Sequence, residues 1–217
     1  MSESDSFIEE VTEEVRRDRL FALFKKYGWI AILAILLIVG TTGYREWVKA
    51  QNDLAARRFG DAVSTAQAVS DPAKRVTALE AIKASGDRAD VLDFLVASAA
   101  VEAKDTKAAL AALDKVANDA SAPQTFRDLA ELKRVLIAGD SMPAAQRKTA
   151  LESLAQAGRP YRPLALEQLA LMKVKAGDKA GALKAFKELL QEPDNTAGLR
   201  RRATEMIVAL GGNPAGK

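Results

Sequence analysis

Residues 175–190 read KAGDKAGALKAFKELL, and 73 positions earlier the chain reads EAKDTKAALAALDKVA (102–117). Five of the 16 aligned positions are identical. In both stretches a break carrying Asp is followed by apolar residues at helical spacing, with no period-2 alternation. Small residues at Ala109 and Ala182 let this helix approach a partner closely. Larger ones at Leu113 and Phe186 fill the space toward the next helical pair. A chain that repeats such a unit predicts an array of helices.

Working outward, short breaks punctuate the chain at 70–72, 85–87, 104–106, 120–123, 139–143, 157–160, 177–178 and 192–196. Helices are expected over 45–69, 72–84, 88–103, 106–118, 124–138, 142–156, 161–176, 179–191 and 196–210, the last closed by Gly211-Gly212. Alternate breaks, beginning at 70, 104, 139 and 177, lie 34, 35 and 38 residues apart. That period belongs to a helical-hairpin solenoid. No run of β-branched or aromatic residues reads as a strand, and aromatics make up only 6% of an alanine-rich chain. The fold class is therefore all-α, with an irregular helical bundle as the alternative to a regular array.

On residues 176–193, AGDKAGALKAFKELLQEP, the chain resembles the second half of a tetratricopeptide repeat. The resemblance puts Gly177 and Asp178 in the turn and Ala182, Phe186 and Pro193 at later signature positions. Pro193 comes one residue early. Leu166, Leu169 and Ala170 stand where Trp, Leu and Gly are usual, and Lys173 replaces Tyr. It implies about four tetratricopeptide-like hairpins followed by a C-terminal capping helix.

A different pattern governs the N-terminal part. Eighteen uncharged residues, Tyr27 to Tyr44, lie between Lys26 and Arg45. As a helix they span roughly 27 Å, close to the hydrocarbon thickness of a bilayer. Tyr27 and Trp29 flank one end and Tyr44 and Trp47 the other, as amphipathic rings do at a membrane interface. A cleaved signal would have a short basic leader and a small-residue cleavage site. Here the leader is 26 residues long and begins acidic, and GTTGYREW (40–47) carries no Ala-x-Ala pattern. A soluble core helix would show a polar stripe, and 29–39 shows none. The expected layout is a cytoplasmic tail over 1–26, a transmembrane helix over 27–44 and the helical array over 45–217. Five Lys and Arg lie within 15 residues on the N-terminal side and four on the C-terminal side, a slight lean toward a cytoplasmic N-terminus. Within the tail, Ser6 and Glu9 read as a capping box, Glu13 pairs with Arg17 at helical spacing, and Phe7, Val11 and Val15 share a face. That segment reads as a solvated membrane-proximal helix, or as one docking on a partner or on headgroups.

The chemistry available is narrow. The chain has no Cys and no His, which removes thiol and imidazole nucleophiles, histidine bases and nearly every zinc or copper site. No P-loop, dinucleotide fingerprint or serine–histidine arrangement is present, so no catalytic, cofactor-binding or metal residue is expected. Asp87, Asp90 and Asp93 recur at helical spacing, but Asp87 reads as an N-cap and Asp90 as a first-turn acid favoured by the helix dipole. Gly177 and Gly181 read as a turn and a small contact, and Arg200–Arg202 as solvated or facing an acidic partner. Net charge is only +3 and lacks a basic stripe interleaved with aromatics, so nucleic acid is not an expected partner, nor is a small-molecule substrate.

The acidic-then-basic tail with RRDRL (16–20) and LFKKYG (23–28), the single membrane helix and the modest helical array together resemble a bacterial family of single-pass inner-membrane proteins that are ancillary subunits of the Sec translocon. That resemblance implies a cytoplasmic N-terminus, an array in the periplasm, and partners among translocon subunits, periplasmic chaperones and exported chains. An envelope scaffold for cell-wall synthesis or division complexes is the alternative. In a helical-hairpin array the first helix of each pair lines the binding groove. Placing the turn glycine at the tetratricopeptide position puts Phe94, Ser98, Lys133 and Glu167 on that groove. Gly40 and Gly43 leave room for a second membrane helix to pack closely.

Overall fold

The computed structural model describes the backbone of residues 3–214 and the side chains from Lys25 to Pro214, Ala31 apart. Among the described residues there are nine α-helices, one 3-10 turn and no strand. They are α1 (Glu3–Gln67), α2 (Pro72–Glu80), α3 (Asp87–Glu102), α4 (Thr106–Asn118), α5 (Gln124–Ala138), α6 (Ala144–Leu154), α7 (Arg162–Lys175), α8 (Lys179–Leu190) and α9 (Ala197–Ala209). The 3-10 turn, Gly139–Ser141, lies between α5 and α6. The chain divides into two compact units, Met1–Gly60 and Asp61–Lys217.

In the first unit the backbone is helical from Glu3, so the helix starts ahead of Ser6 rather than at it. Glu3 and Asp5 then fall in the first turn, where the dipole favours acids. The side chains of the capping box, of the Glu13–Arg17 pair and of the Phe7, Val11 and Val15 face lie outside the described residues. The segment from Lys25 onward is long and apolar enough to cross a membrane, and none of its most apolar 18-residue window is buried. Ile35, Leu36, Leu37 and Ile38 all stand exposed, so protein atoms of this chain do not cover them. Thr41 and Thr42 donate their hydroxyls back to the carbonyls of Leu37 and Ile38, at 2.8 and 2.7 Å. Self-satisfied hydroxyls remove the main objection to placing threonine in lipid. Residues 45–60, read from the sequence as the opening of the array, fall in this first unit.

In the second unit successive helices pack on one another from α2 through to α9, and α3 also touches α5. The second helices of three hairpins start from matching caps. Asp71, Asp105 and Asp178 each accept the backbone N–H three residues on, at 3.0, 2.9 and 2.8 Å. The turns before α4 and α8 are also alike: Asp105 N–H reaches the Ala100 carbonyl, and Asp178 N–H that of Lys173. The third hairpin departs from the pattern. Pro143 takes the cap position there, and the 3-10 turn Gly139–Ser141 supplies the extra residues that lengthen the period.

Ala109, Leu113, Ala182 and Phe186 are all fully buried, as their aligned positions predict. Leu132, Val135, Leu151, Leu154 and Ala165 join α5, α6 and α7 in one cluster. Ala170, Phe186, Leu189, Leu199, Ala203 and Ile207 join α7, α8 and α9 in another. Two sequence expectations need correction. The second helix stops at Glu80, not near 84, since Leu79 is its last buried residue and no residue is buried again before Asp90. Further turns would bury nothing to offset the lost chain entropy. Asp87 is not an N-cap: Gly86 holds that place at φ +58° with no side-chain cap, and Asp87 is the first helical residue.

Candidate partner-binding face

The proposed groove residues fall on α3, α5 and α7, the first helices of successive hairpins. Phe94 is half-buried and meets Phe126 of α5 edge-on, with centroids 5.9 Å apart at 82°. Such edge-to-face pairs add to simple area burial, so Phe94 serves the α3–α5 junction while keeping part of its ring in solvent. Ser98, one turn on, is exposed, between the exposed Val91 and Val101. Lys133 is half-buried and carries no ion pair among the described residues.

Glu167 behaves differently. It is buried, and both of its oxygens accept from Arg202 of α9, at 2.7 and 2.8 Å. A two-pronged charge-assisted contact of this kind is geometrically specific. The carboxylate holds Arg202 above its ordinary basicity, chiefly through the hydrogen bonds. Arg202, read from the sequence as solvated, is exposed like Arg200 and Arg201 and yet ties α9 to α7. The polar surface beside Glu167 is provided instead by Gln168.

Gln168 and Leu171 line two adjoining hollows. One, of about 310 Å³, lies between α7 and α9 and includes Glu205 and Met206. The other, about 130 Å³, lies between α5, α6 and α7 and is walled by Leu136, Leu151 and Met172 with Arg147 and Lys175 at its rim. A third and larger groove, about 730 Å³, runs along the opposite side of α7 between α6 and α8, over Leu166, Leu169 and Met172. No single residue motif advertises these hollows, because each forms where helices distant in sequence meet. Leu136, exposed on α5, lines the smallest of them, and its helical spacing does not set it apart from the buried Leu132 and Val135.

Several ion pairs on this unit join residues about 30 or more positions apart. Arg159 donates to the buried Asp128 at 2.6 Å. Arg162 grips both oxygens of Glu192, whose carboxyl sits below the usual range because of that donation. Lys175 and Arg147 both meet Asp140, and hydrogen bonding from Lys175 depresses its carboxyl most. At the start of α3, burial raises the Asp90 carboxyl, with Asp119, Asp87 and Asp93 adding repulsion. Among the described residues no group of three or more acids is arranged to hold a metal ion.

At the other end of the chain, Tyr27, Trp29, Tyr44 and Trp47 are all exposed on α1. Tyr44 and Trp47 lie 6.2 Å apart, and Lys26 sits 5.5 Å from the Tyr27 ring. A family model described as a tetratricopeptide repeat-like domain matches residues 23–207. No curated protein and no solved structure matches the chain.

Proposed function

Because the chain belongs to the tetratricopeptide repeat-like domain family, whose members are typically non-enzymatic modules that bind other proteins, we propose that it is a membrane-anchored adaptor of the Sec translocon. In this reading α1 spans the bacterial inner membrane with its N-terminus in the cytoplasm. The array lies in the periplasm and links exported chains to periplasmic chaperones. The observation that carries the reading is a segment, 27–44, that is apolar, uncharged and exposed along its described side chains, in a chain whose other unit offers grooves between helices. Tyr27, Trp29, Tyr44 and Trp47 would sit at the two headgroup layers. Tethering would raise the effective concentration of the groove for chains emerging at the bilayer.

Phe94, Ser98 and Lys133 are the groove positions best placed for contact, since each keeps side-chain surface in solvent. Glu167 serves there by fixing α9 against α7. In-cell photo-crosslinking from Ser98 and Lys133, followed by identification of the captured proteins, tests the proposal. Recovery of translocon subunits or periplasmic chaperones supports it. Recovery of cell-wall synthesis or division proteins alone replaces it with an envelope scaffold. A reporter fused after Lys217 tests the orientation: activity of a cytoplasm-restricted reporter would overturn it. Alkaline carbonate washing tests the anchor, and extraction into the aqueous fraction would remove it.

A further inference from the structure

The ends of α3 and α4 carry a group of acids that the fold does not use. Asp87, Asp90 and Asp93 lie about one turn apart at the start of α3, and Asp119 closes the C-terminal end of α4. The two helices pack as a hairpin, and Lys115 of α4 meets Asp93 of α3 at 3.1 Å, which sets their register. One turn beyond that contact, Asp119 comes opposite Asp90.

Asp90 is only 4% exposed, yet among the described residues no donor or cation pairs with its carboxylate. The nearby cations are taken: Lys115 by Asp93, and Arg127 of α5 by the carbonyls of Ala120 and Ala122. Asp119 is held on one oxygen by the N–H and hydroxyl of Ser121. Burial and three neighbouring carboxylates raise the Asp90 carboxyl, so at neutral pH this group weakens the fold rather than holding it. A buried charge of that kind calls for a counter-charge. Unlike Asp128 Oδ2 and Asn195 Oδ1, neither oxygen of Asp90 is sealed from solvent, so an incoming cation can meet them.

The arrangement does not suit a metal ion. Carboxylates spread over two helix ends match the three N–H donors of an ammonium, whereas the planar guanidinium fork fits a single carboxylate. The helix dipoles do not oppose a cation there, because the positive start of α3 lies beside the negative end of α4. Phe94, four residues after Asp90 on the same face of α3, keeps part of its ring in solvent. A lysine stem packs along such a ring while its charged head reaches beyond it.

We propose that the ends of α3 and α4 form a subsite for a lysine side chain of a bound protein, its ammonium among Asp87, Asp90 and Asp119 and its stem along Phe94. The proposal rests on the protein-binding reading above and names the side chain selected at this end of the groove.

The test uses the full chain in lipid nanodiscs and an alanine-rich peptide with one central lysine, labelled at its N-terminus and amidated at its C-terminus, read by fluorescence anisotropy. The lysine peptide binds saturably, and its acetyllysine form binds about tenfold or more weakly. Asp90→Asn and Asp119→Asn each weaken binding several-fold. Asp90→Asn at the same time raises the thermal midpoint, so lost binding cannot be put down to lost folding. Equal binding of the two peptides, no saturable binding, or unchanged binding in Asp90→Asn overturns the proposal. Equal weakening by Glu152→Gln, at an exposed acid of α6, also overturns it, by reducing the effect to net charge. So does an acetyllysine peptide with a free N-terminus binding as tightly, which would assign the acids to a chain terminus, or displacement of the lysine peptide by micromolar calcium, which would assign them to a metal. Crosslinking from Ser98 reads the adaptor proposal separately. Partner capture without lysine discrimination defeats the subsite alone. Discrimination without any capture supports the subsite and defeats the adaptor reading.

Discussion

Lys104 and Gly177 occupy the same place in aligned turns, and both are in the left-handed region, at φ +60° and +76°. Glycine adopts that conformation freely; lysine pays a steric penalty. Lys104→Gly is expected to raise stability by about 0.5–1 kcal/mol, the strain relieved less the entropy glycine adds to the unfolded chain, and denaturant unfolding will measure it. Arg202→Ala leaves the Glu167 carboxylate buried without its partner. The loss should be about 1–3 kcal/mol, below the figure for a wholly buried pair because the guanidinium is half exposed. Adding Glu167→Gln to that variant should recover part of the loss, and a double-mutant cycle measures the coupling. Asp90 works in the opposite direction. Burial first, then Asp119, Asp87 and Asp93, raises its carboxyl above the ordinary 3.8. The folded state thus holds this proton more tightly than the unfolded chain does, so the penalty is present at neutral pH and is relieved as pH falls through the raised value. Asp90→Asn should therefore raise the thermal midpoint at pH 7, with the advantage shrinking as the pH approaches 3.8. An unchanged advantage at low pH would mean that charge is not the cause.

At the scale of elements, the array is a set of helices whose ends are closed the same way several times over. The α9 terminus repeats the turn chemistry seen before α4 and α8: Gly212 N–H reaches the Ile207 carbonyl at 2.9 Å, with Gly211 at φ +72°. Here the closure is also a packing contact. A Cβ on Gly212 would lie 2.6 Å from Leu183 Cδ2 and 3.1 Å from Ile207 Cγ2. Gly212→Ala should cost about 1–3 kcal/mol by overpacking α9 against α8, and a drop in the thermal midpoint checks it. The α5–α6 connection is where the elements depart from regularity, since Pro143 replaces an acidic cap and a 3-10 turn intervenes. That departure brings Asp140 beside both Arg147 of α6 and Lys175 of α7.

For the array as a whole, each helix packs chiefly on its sequence neighbours, so stability is a sum of local interfaces rather than a single core. Phe186 is the largest fully buried side chain and joins α7, α8 and α9 in one cluster. Phe186→Ala should cost about 3–5 kcal/mol. In an array of this kind the loss is local. Hydrogen exchange should show α7–α9 losing protection first while α3 and α4 keep theirs; uniform loss across the unit would contradict a modular array.

By itself the sequence determined the all-helical class, an apolar run long enough to cross a membrane and most helix boundaries. Those are local properties: periodicity, turn residues at Asp105 and Asp178, and an unbroken apolar run each act within a few residues along the chain. The spacing of breaks also revealed the repeat, and the longer third interval pointed to an insertion without showing its form. What only the tertiary structure decided is which side chains remain free to act. Glu167 and Arg202 are 35 residues apart, as are Asp140 and Lys175, and no local pattern distinguishes a pair that closes from one left in solvent. The helix that ends at Glu80 and the cap at Gly86 were settled the same way, by what there was to bury. Pairing across hairpins depends on the relative rotation of helices, which packing sets and sequence spacing does not.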